Sequence, residues 1–186
     1  MIINRSHDKK TIFTRMCISE AIIKLLQKYD FNKITVTNIV KTAGVARMTF
    51  YNYYNSSTAA LKDYLQIIIS EYVEDASKKL TGTEHVEYNH ILHALNFFDK
   101  YAHFFLTLAK HNMHGILLDG INQFMINNVQ RNKNYSLYEL YSYAGGLLNS
   151  FLKWEEDGKK ESSSVIAETI YKLYCRNRLP EPEVQP

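Results

Sequence analysis

Apolar residues recur at intervals of three and four along most of this chain, and the intervals break at only a few points. From Thr11 to Tyr29, the positions Ile18, Ile22, Leu25, Leu26 and Tyr29 share one helical face. A denser pattern follows between Ile34 and Leu61, which reads ITVTNIVKTAGVARMTFYNYYNSSTAAL. Thr35 stands where an N-cap belongs, because its hydroxyl can accept from an orphan N–H of the next turn. Val36, Ile39, Val40 and Ala43 then give a short helix its apolar face, and Gly44 can take the left-handed conformation that ends it. Val45 plugs the corner. Arg47 to Tyr53 forms a second short helix that turns Phe50 inward and leaves Arg47, Met48, Thr49, Tyr51, Asn52 and Tyr53 facing outward. The pattern is that of a helix-turn-helix, whose second helix is narrow enough to lie in a DNA major groove.

The periodicity continues to the end of the chain. Ser56 is placed to cap a long helix from Ser57 to about Lys79, with Leu61, Leu65, Ile68, Tyr72 and Val73 on its inner face. Thr81-Gly82-Thr83 breaks it. A helix from Tyr88 to Lys110 follows, with a kink expected near Asp99-Lys100, and another from His114 to Gln130. Asn132-Lys133-Asn134 reads as a loop. Two helices close the pattern, Ser136 to Glu156 and Ser163 to Arg178, and the proline-bearing tail from Pro180 to Pro186 is expected to be disordered. The fold class is therefore all-α. Seven glycines and three prolines in 186 residues leave few breaks in such an arrangement.

Composition changes this picture in two respects. The net charge is only +3, yet residues 1–64 hold ten Lys/Arg against four Asp/Glu, a local +6, so the remainder carries −3. A basic head on a mildly acidic body suits a polyanion at one end only. The N-terminal residues Arg5, Lys9 and Lys10 read as a mobile basic arm. No run approaches the ~20 apolar residues of a membrane span, and the first ten residues lack the apolar core of a signal peptide. The two cysteines, Cys17 and Cys175, have no metal-type spacing, so a cytoplasmic location is expected, with no membrane partner.

The stretch from Thr35 to Tyr54 resembles the TetR family of bacterial transcriptional regulators. Thr35, Ile39, Ala43, Gly44, Val45, Thr49, Phe50, Tyr51, Tyr53 and Tyr54 match its pattern, while Ala46 stands in place of Ser, Met48 in place of Gly and Ser57 in place of Lys. The resemblance implies a three-helix head at 1–55, an effector-binding and dimerisation domain at 56–179, and a tail at 180–186. It implies a dimer on a palindromic double-stranded DNA operator, most often a repressor, released by a small-molecule effector. DNA contacts are then expected from Thr35, Thr37, Arg47, Met48, Thr49, Tyr51, Asn52, Tyr53 and Ser57, with Arg47 or Thr49 at base edges. The later run Tyr143-Ala144-Gly145-Gly146-Leu147-Leu148, with Phe151, Trp154, Gly158, Ser162 to Ser164, Ile166, Ile170 and Leu173, resembles the family's dimerisation pair. Gly145, Gly146, Leu148, Phe151, Leu152, Ile166 and Ile170 are its expected interface. Two adjacent mid-helix glycines cost about 1 kcal/mol each against alanine, which a close helix crossing would offset. That crossing could also lie within one subunit.

Little catalytic chemistry is present. Hydrolase, P-loop and dinucleotide-binding signatures are missing, so no enzyme and no cofactor is expected. Six of seven histidines fall between His85 and His114, and His90/His93 and His111/His114 are spaced i, i+3. No cysteine or acidic pattern completes a metal site, and none is expected. Many of the fourteen tyrosines and nine phenylalanines lie in the second domain, where they could enclose an apolar ligand or could be filled core. An effector held among Tyr72, Phe98, His103, Phe105, Phe124 and Tyr141 rests on the resemblance. A co-activator of the same fold, working through protein contacts, is the alternative, because the changes at Ala46 and Ser57 each remove a contact.

Overall fold

The computed structural model describes residues 5–80, 87–129 and 135–175, and their regular structure is entirely helical. The chain-order elements are α1 (Arg5–Leu26), α2 (Val36–Ala43), α3 (Arg47–Tyr53), α4 (Ser57–Lys79), α5 (Tyr88–Phe98), α6 (Ala102–Lys110), α7 (His114–Asn128), α8 (Leu137–Glu156) and α9 (Ser163–Cys175). The expected all-α fold is the fold observed. The kink expected near Asp99-Lys100 is a 3-10 turn, Asp99–Tyr101, that separates α5 from α6. The break at 81–83, the loop at 132–134, the tail at 180–186 and His85 lie outside the described residues.

Two expectations need correction. The charged N-terminal residues are not an arm, since α1 already begins at Arg5 and contains Lys9 and Lys10. No glycine or proline precedes Gly44, and lysine is a good helix former. Tyr29 is 52% exposed, because α1 stops at Leu26 and the apolar spacing runs on past the helix.

By contacts the chain divides into two compact units, residues 1–70 with 107–120, and residues 71–106 with 121–186. In the first, α1 packs on α2 and α2 on α3. Ile18, Ile22 and Leu26 of α1, Ile39 of α2, Phe50 of α3 and Leu61, Leu65 and Ile68 of α4 are essentially inaccessible. Gly120 of α7 lies so close to α4 that a methyl group there would come within 2.4 Å of Leu65. In the second, α5 packs against α9 and α8 against α9. Ser136 caps α8 in a reciprocal box with Glu139: its hydroxyl accepts from the Glu139 N–H at 3.2 Å, and its own N–H donates to the carboxylate at 2.6 Å. Indole N–H donation from Trp154 to the Glu161 carbonyl at 2.8 Å ties the end of α8 to the approach of α9. Gly158 and Lys159 both take positive φ in that turn, 73° and 56°.

Candidate nucleic-acid interface

The helix-turn-helix is built from its caps inward. Thr35 Oγ1 accepts from the Asn38 N–H at 3.2 Å and Asn38 Oδ1 accepts from the Thr35 N–H at 3.2 Å, so two orphan donors of α2 are satisfied together. The Thr35 hydroxyl also lies 2.5 Å from Asn38 Oδ1, its donor capacity already in use. Thr35, expected both in the cap and among the DNA contacts, is exposed, as is Thr37. Gly44 closes α2 at φ 69°, ψ 31°, with its N–H and that of Val45 both donating to the Val40 carbonyl. α3 then starts from Ala46, which supplies no side-chain cap.

Phe50 anchors α3 with no exposed surface, and its ring meets Tyr51 and Tyr54 edge-on at 5.5 and 5.9 Å between centroids. The opposite surface is open: Met48 is 69% exposed, and Arg47, Tyr51, Asn52 and Tyr53 are also exposed. Thr49 is half-buried. Arg47 Nη2 donates to the Tyr51 hydroxyl at 3.3 Å, and its guanidinium carbon lies 5.6 Å from that ring's centre. Ser57 is half-buried in the first turn of α4, beside Ser56, whose hydroxyl accepts from the Ala59 N–H at 3.1 Å.

One network beneath this surface has no signal in the sequence. Asp63 of α4 accepts from Arg15 of α1, with Nε at 2.9 Å and Nη2 closer still, and from the Tyr54 hydroxyl at 2.6 Å. Tyr54 is the C-cap of α3, so a single carboxylate joins three helices around the end of the exposed one. The Asp63 hydrogen bond raises the Arg15 pKa, and burial together with Asp63 pushes the Tyr54 phenol up. Ser19 of α1, fully buried, donates to the Ala60 carbonyl at 3.0 Å and reinforces the same junction. The partners are up to 48 residues apart, a separation that no local pattern reports.

Comparison with known proteins then places this architecture. No family model matches the sequence. A curated relative, the HTH-type dhaKLM operon transcriptional activator DhaS of Lactococcus lactis, is 29% identical over 120 residues, covering 60% of this chain and 64% of that protein. The solved structure of DhaS, the dihydroxyacetone kinase operon activator, superposes with a TM-score of 0.53 at 20% identity, covering 88% of this chain and 94% of that one. FadR of Thermus thermophilus, a TetR-family transcriptional repressor solved with lauroyl-CoA, gives 0.56 at 22% identity over 92% and 98%. The chain has the TetR-family fold.

Within the TetR fold, the residues expected around an effector separate into two groups. Tyr72, Phe98, Phe105 and Phe124 come together: Tyr72 meets Phe98 at 5.1 Å and Phe124 at 6.2 Å, and Phe98 meets Phe105 at 5.6 Å. Tyr72 and Phe105 are buried, at 5% and 2% exposure, and desolvation raises the Tyr72 phenol pKa. His103 and Tyr141 are exposed. Two residues outside the expected effector set complete the cluster, since Phe97 and His93 also pack on Tyr72 at 5.5 and 5.7 Å. His93 Nε2 lies 3.1 Å from Asp75 Oδ2, and burial holds its pKa below the usual 6.5 against the opposing pull of that carboxylate. Among the described residues, no group of three His, Cys, Asp or Glu converges on a metal site.

The residues expected at a dimer interface differ in exposure. Leu148, Phe151, Leu152 and Ile170 are between 2% and 5% exposed, so the chain's own core already uses them. Ile166 is half-buried. Gly146 makes room within the chain: a methyl there would meet the Tyr174 hydroxyl at 2.1 Å, and that hydroxyl donates to the Ser142 carbonyl at 3.0 Å. Gly145 differs, with nothing within 4 Å of the position its Cβ would take. The apolar residues left outside are Leu137, Tyr138 and Tyr141 on α8 and Val165 and Leu173 on α9, between 41% and 85% exposed. An amphipathic helix shows the sequence only one apolar stripe, and on α8 much of that stripe lies in the chain's own core.

Proposed function

We propose that the chain is a sequence-specific DNA-binding transcriptional regulator that acts as a homodimer and answers to a small-molecule effector. The observation that carries this reading is the short, capped helix-turn-helix with an open α3 surface, set in a TetR fold and in the basic part of the chain. DhaS is an activator by its name and the Thermus protein a repressor, and repression is the sense implied by the motif resemblance. The dimer uses the exposed surfaces of α8 and α9, with Tyr138, Tyr141, Gly145, Val165 and Leu173 in place of the buried residues first expected. The effector acts at the aromatic cluster around Tyr72, whose neighbours belong to α5 and α7 as well as α4. It shifts DNA binding only if it favours one arrangement of those helices over another.

Selection of bound duplexes from a randomised pool tests the reading. A near-palindromic consensus is expected, with log affinity falling linearly in log salt by roughly 0.9 per phosphate neutralised. Arg47→Ala should weaken that binding in the same assay. Recovery of no preferred sequence at moderate salt would instead favour the co-activator reading, to which the uncapped Ala46 and the uncharged Ser57 already lean. A promoter fusion carrying the consensus reads the sign of regulation.

A further inference from the structure

Phe50, with no exposed surface, defines the inner side of α3. At about 100° per residue, Met48 and Asn52 each stand about 160° from it around the helix axis, closer to directly outward than any other residue of α3. Both are exposed, Met48 at 69%. Arg47 and Tyr51 lie on one flank, where the hydroxyl contact at 3.3 Å and the guanidinium over the ring hold them to each other. Thr49 and Tyr53 lie on the other, Thr49 half-buried and Tyr53 in ring contact with Tyr54 at 6.1 Å. A helix that enters a groove with Phe50 behind it therefore leads with Met48 and Asn52.

We infer that Met48 and Asn52 are the base-reading pair of α3, and that the half-site they recognise centres on A·T base pairs. The inference rests on the DNA-binding reading above. Asparagine presents one donor and one acceptor in the plane that adenine N7 and N6–H2 require for a two-bond contact. Methionine has neither, and in the major groove an apolar side chain is matched by the C5-methyl of thymine. Its unbranched thioether adapts to such a surface. The two residues are one helical turn apart, about 6 Å along the axis, so the adenine and the thymine fall within about two base pairs of each other. Arg47, tethered along its flank to Tyr51, faces the groove wall, where phosphates lie. This exchanges the roles expected from sequence, in which Arg47 or Thr49 read the bases.

The experiment uses the full chain and the duplexes that the wild type selects from a randomised pool. The expected consensus has A·T pairs at the centre of each half-site. Uracil in place of the thymines there removes only the methyl, and should weaken the wild type about fourfold while leaving Met48→Ala indifferent. Asn52→Ala should lose the adenine preference at one position, a discrimination of roughly five- to 150-fold in the wild type. Its salt slope should match the wild type's, because asparagine neutralises no phosphate. Both side chains are exposed, so unchanged thermal melting of the variants is expected and serves as the folding control. A clear consensus that neither variant alters, or one with G·C at its centre, would overturn the inference and leave the DNA-binding reading standing. Failure of the wild type to select any sequence would overturn both.

Discussion

Asp63 shows how much one carboxylate can organise. It accepts from Arg15 and Tyr54, each on a different element, with side-chain exposures of 23% for Asp63 and 27% for Arg15. Charge-assisted hydrogen bonds are worth about 1.5–3 kcal/mol in burial, and partial solvent screening lowers that here. Asp63→Asn should therefore cost about 1–2 kcal/mol, read as a lower urea midpoint with the slope unchanged. An unaltered midpoint would mean that solvent already competes for those donors. His93 permits a prediction of opposite character. Its folded pKa lies below 6.5 because burial disfavours the imidazolium. The unfolded chain takes up a proton that the folded one resists, so this contribution to stability is complete above pH 6.5 and declines as the pH falls through that value. Thermal melts at pH 7.5 and 5.5 should show a steeper loss in the wild type than in His93→Gln. Equal losses would assign the acid sensitivity to other groups.

At the scale of elements, α8 carries two adjacent glycines with opposite surroundings. Gly145 has open space around the direction of its missing side chain, whereas Gly146 is closed by Tyr174. Alanine gains about 1 kcal/mol over glycine in a helix interior. Gly145→Ala should realise that gain in the monomer, since nothing within the chain opposes it. Gly146→Ala should not, because the new methyl must displace Tyr174 and break its bond to the Ser142 carbonyl. The two variants should therefore differ by about 1 kcal/mol, and chemical denaturation under dilute conditions would register the difference. Should both be equally stable, Tyr174 swings away at no cost.

For the whole molecule, α8 and α9 carry an apolar surface that is exposed among the described residues. Leu173 is 66% exposed and Val165 50%, so charges at these sites leave the subunit's core intact. Leu173→Glu combined with Val165→Glu should give folded monomers, because like charges would face each other across a two-fold interface. Sedimentation at micromolar concentration checks this, with helical circular dichroism as the control. The same variant should lose most of its affinity for a palindromic duplex, since each head would then bind alone. A double variant that sediments like the wild type would remove these helices from the assembly.

Sequence alone determined the elements of this protein and the identity of its exposed short helix. The 3.6-residue period, Thr35 and Ser56 as caps, Gly44 as the stop of α2 and the turn at Asp99 are all local events, decided within one or two turns of backbone. The head motif was legible for the same reason, because a helix-turn-helix is completed within twenty residues. Tertiary structure decided which apolar stripe meets which. Leu148, Phe151 and Ile170 carry the same periodicity whether they face their own core or a second subunit, and only packing shows that they face the core. It also decided the use of polar groups: Asp63 belongs to Arg15, 48 residues away in the chain, and to Tyr54 at the end of another helix. Hydrophobicity is a property of a residue, but its partner is a property of the fold, because burial is non-directional and distance along the chain does not set distance in space.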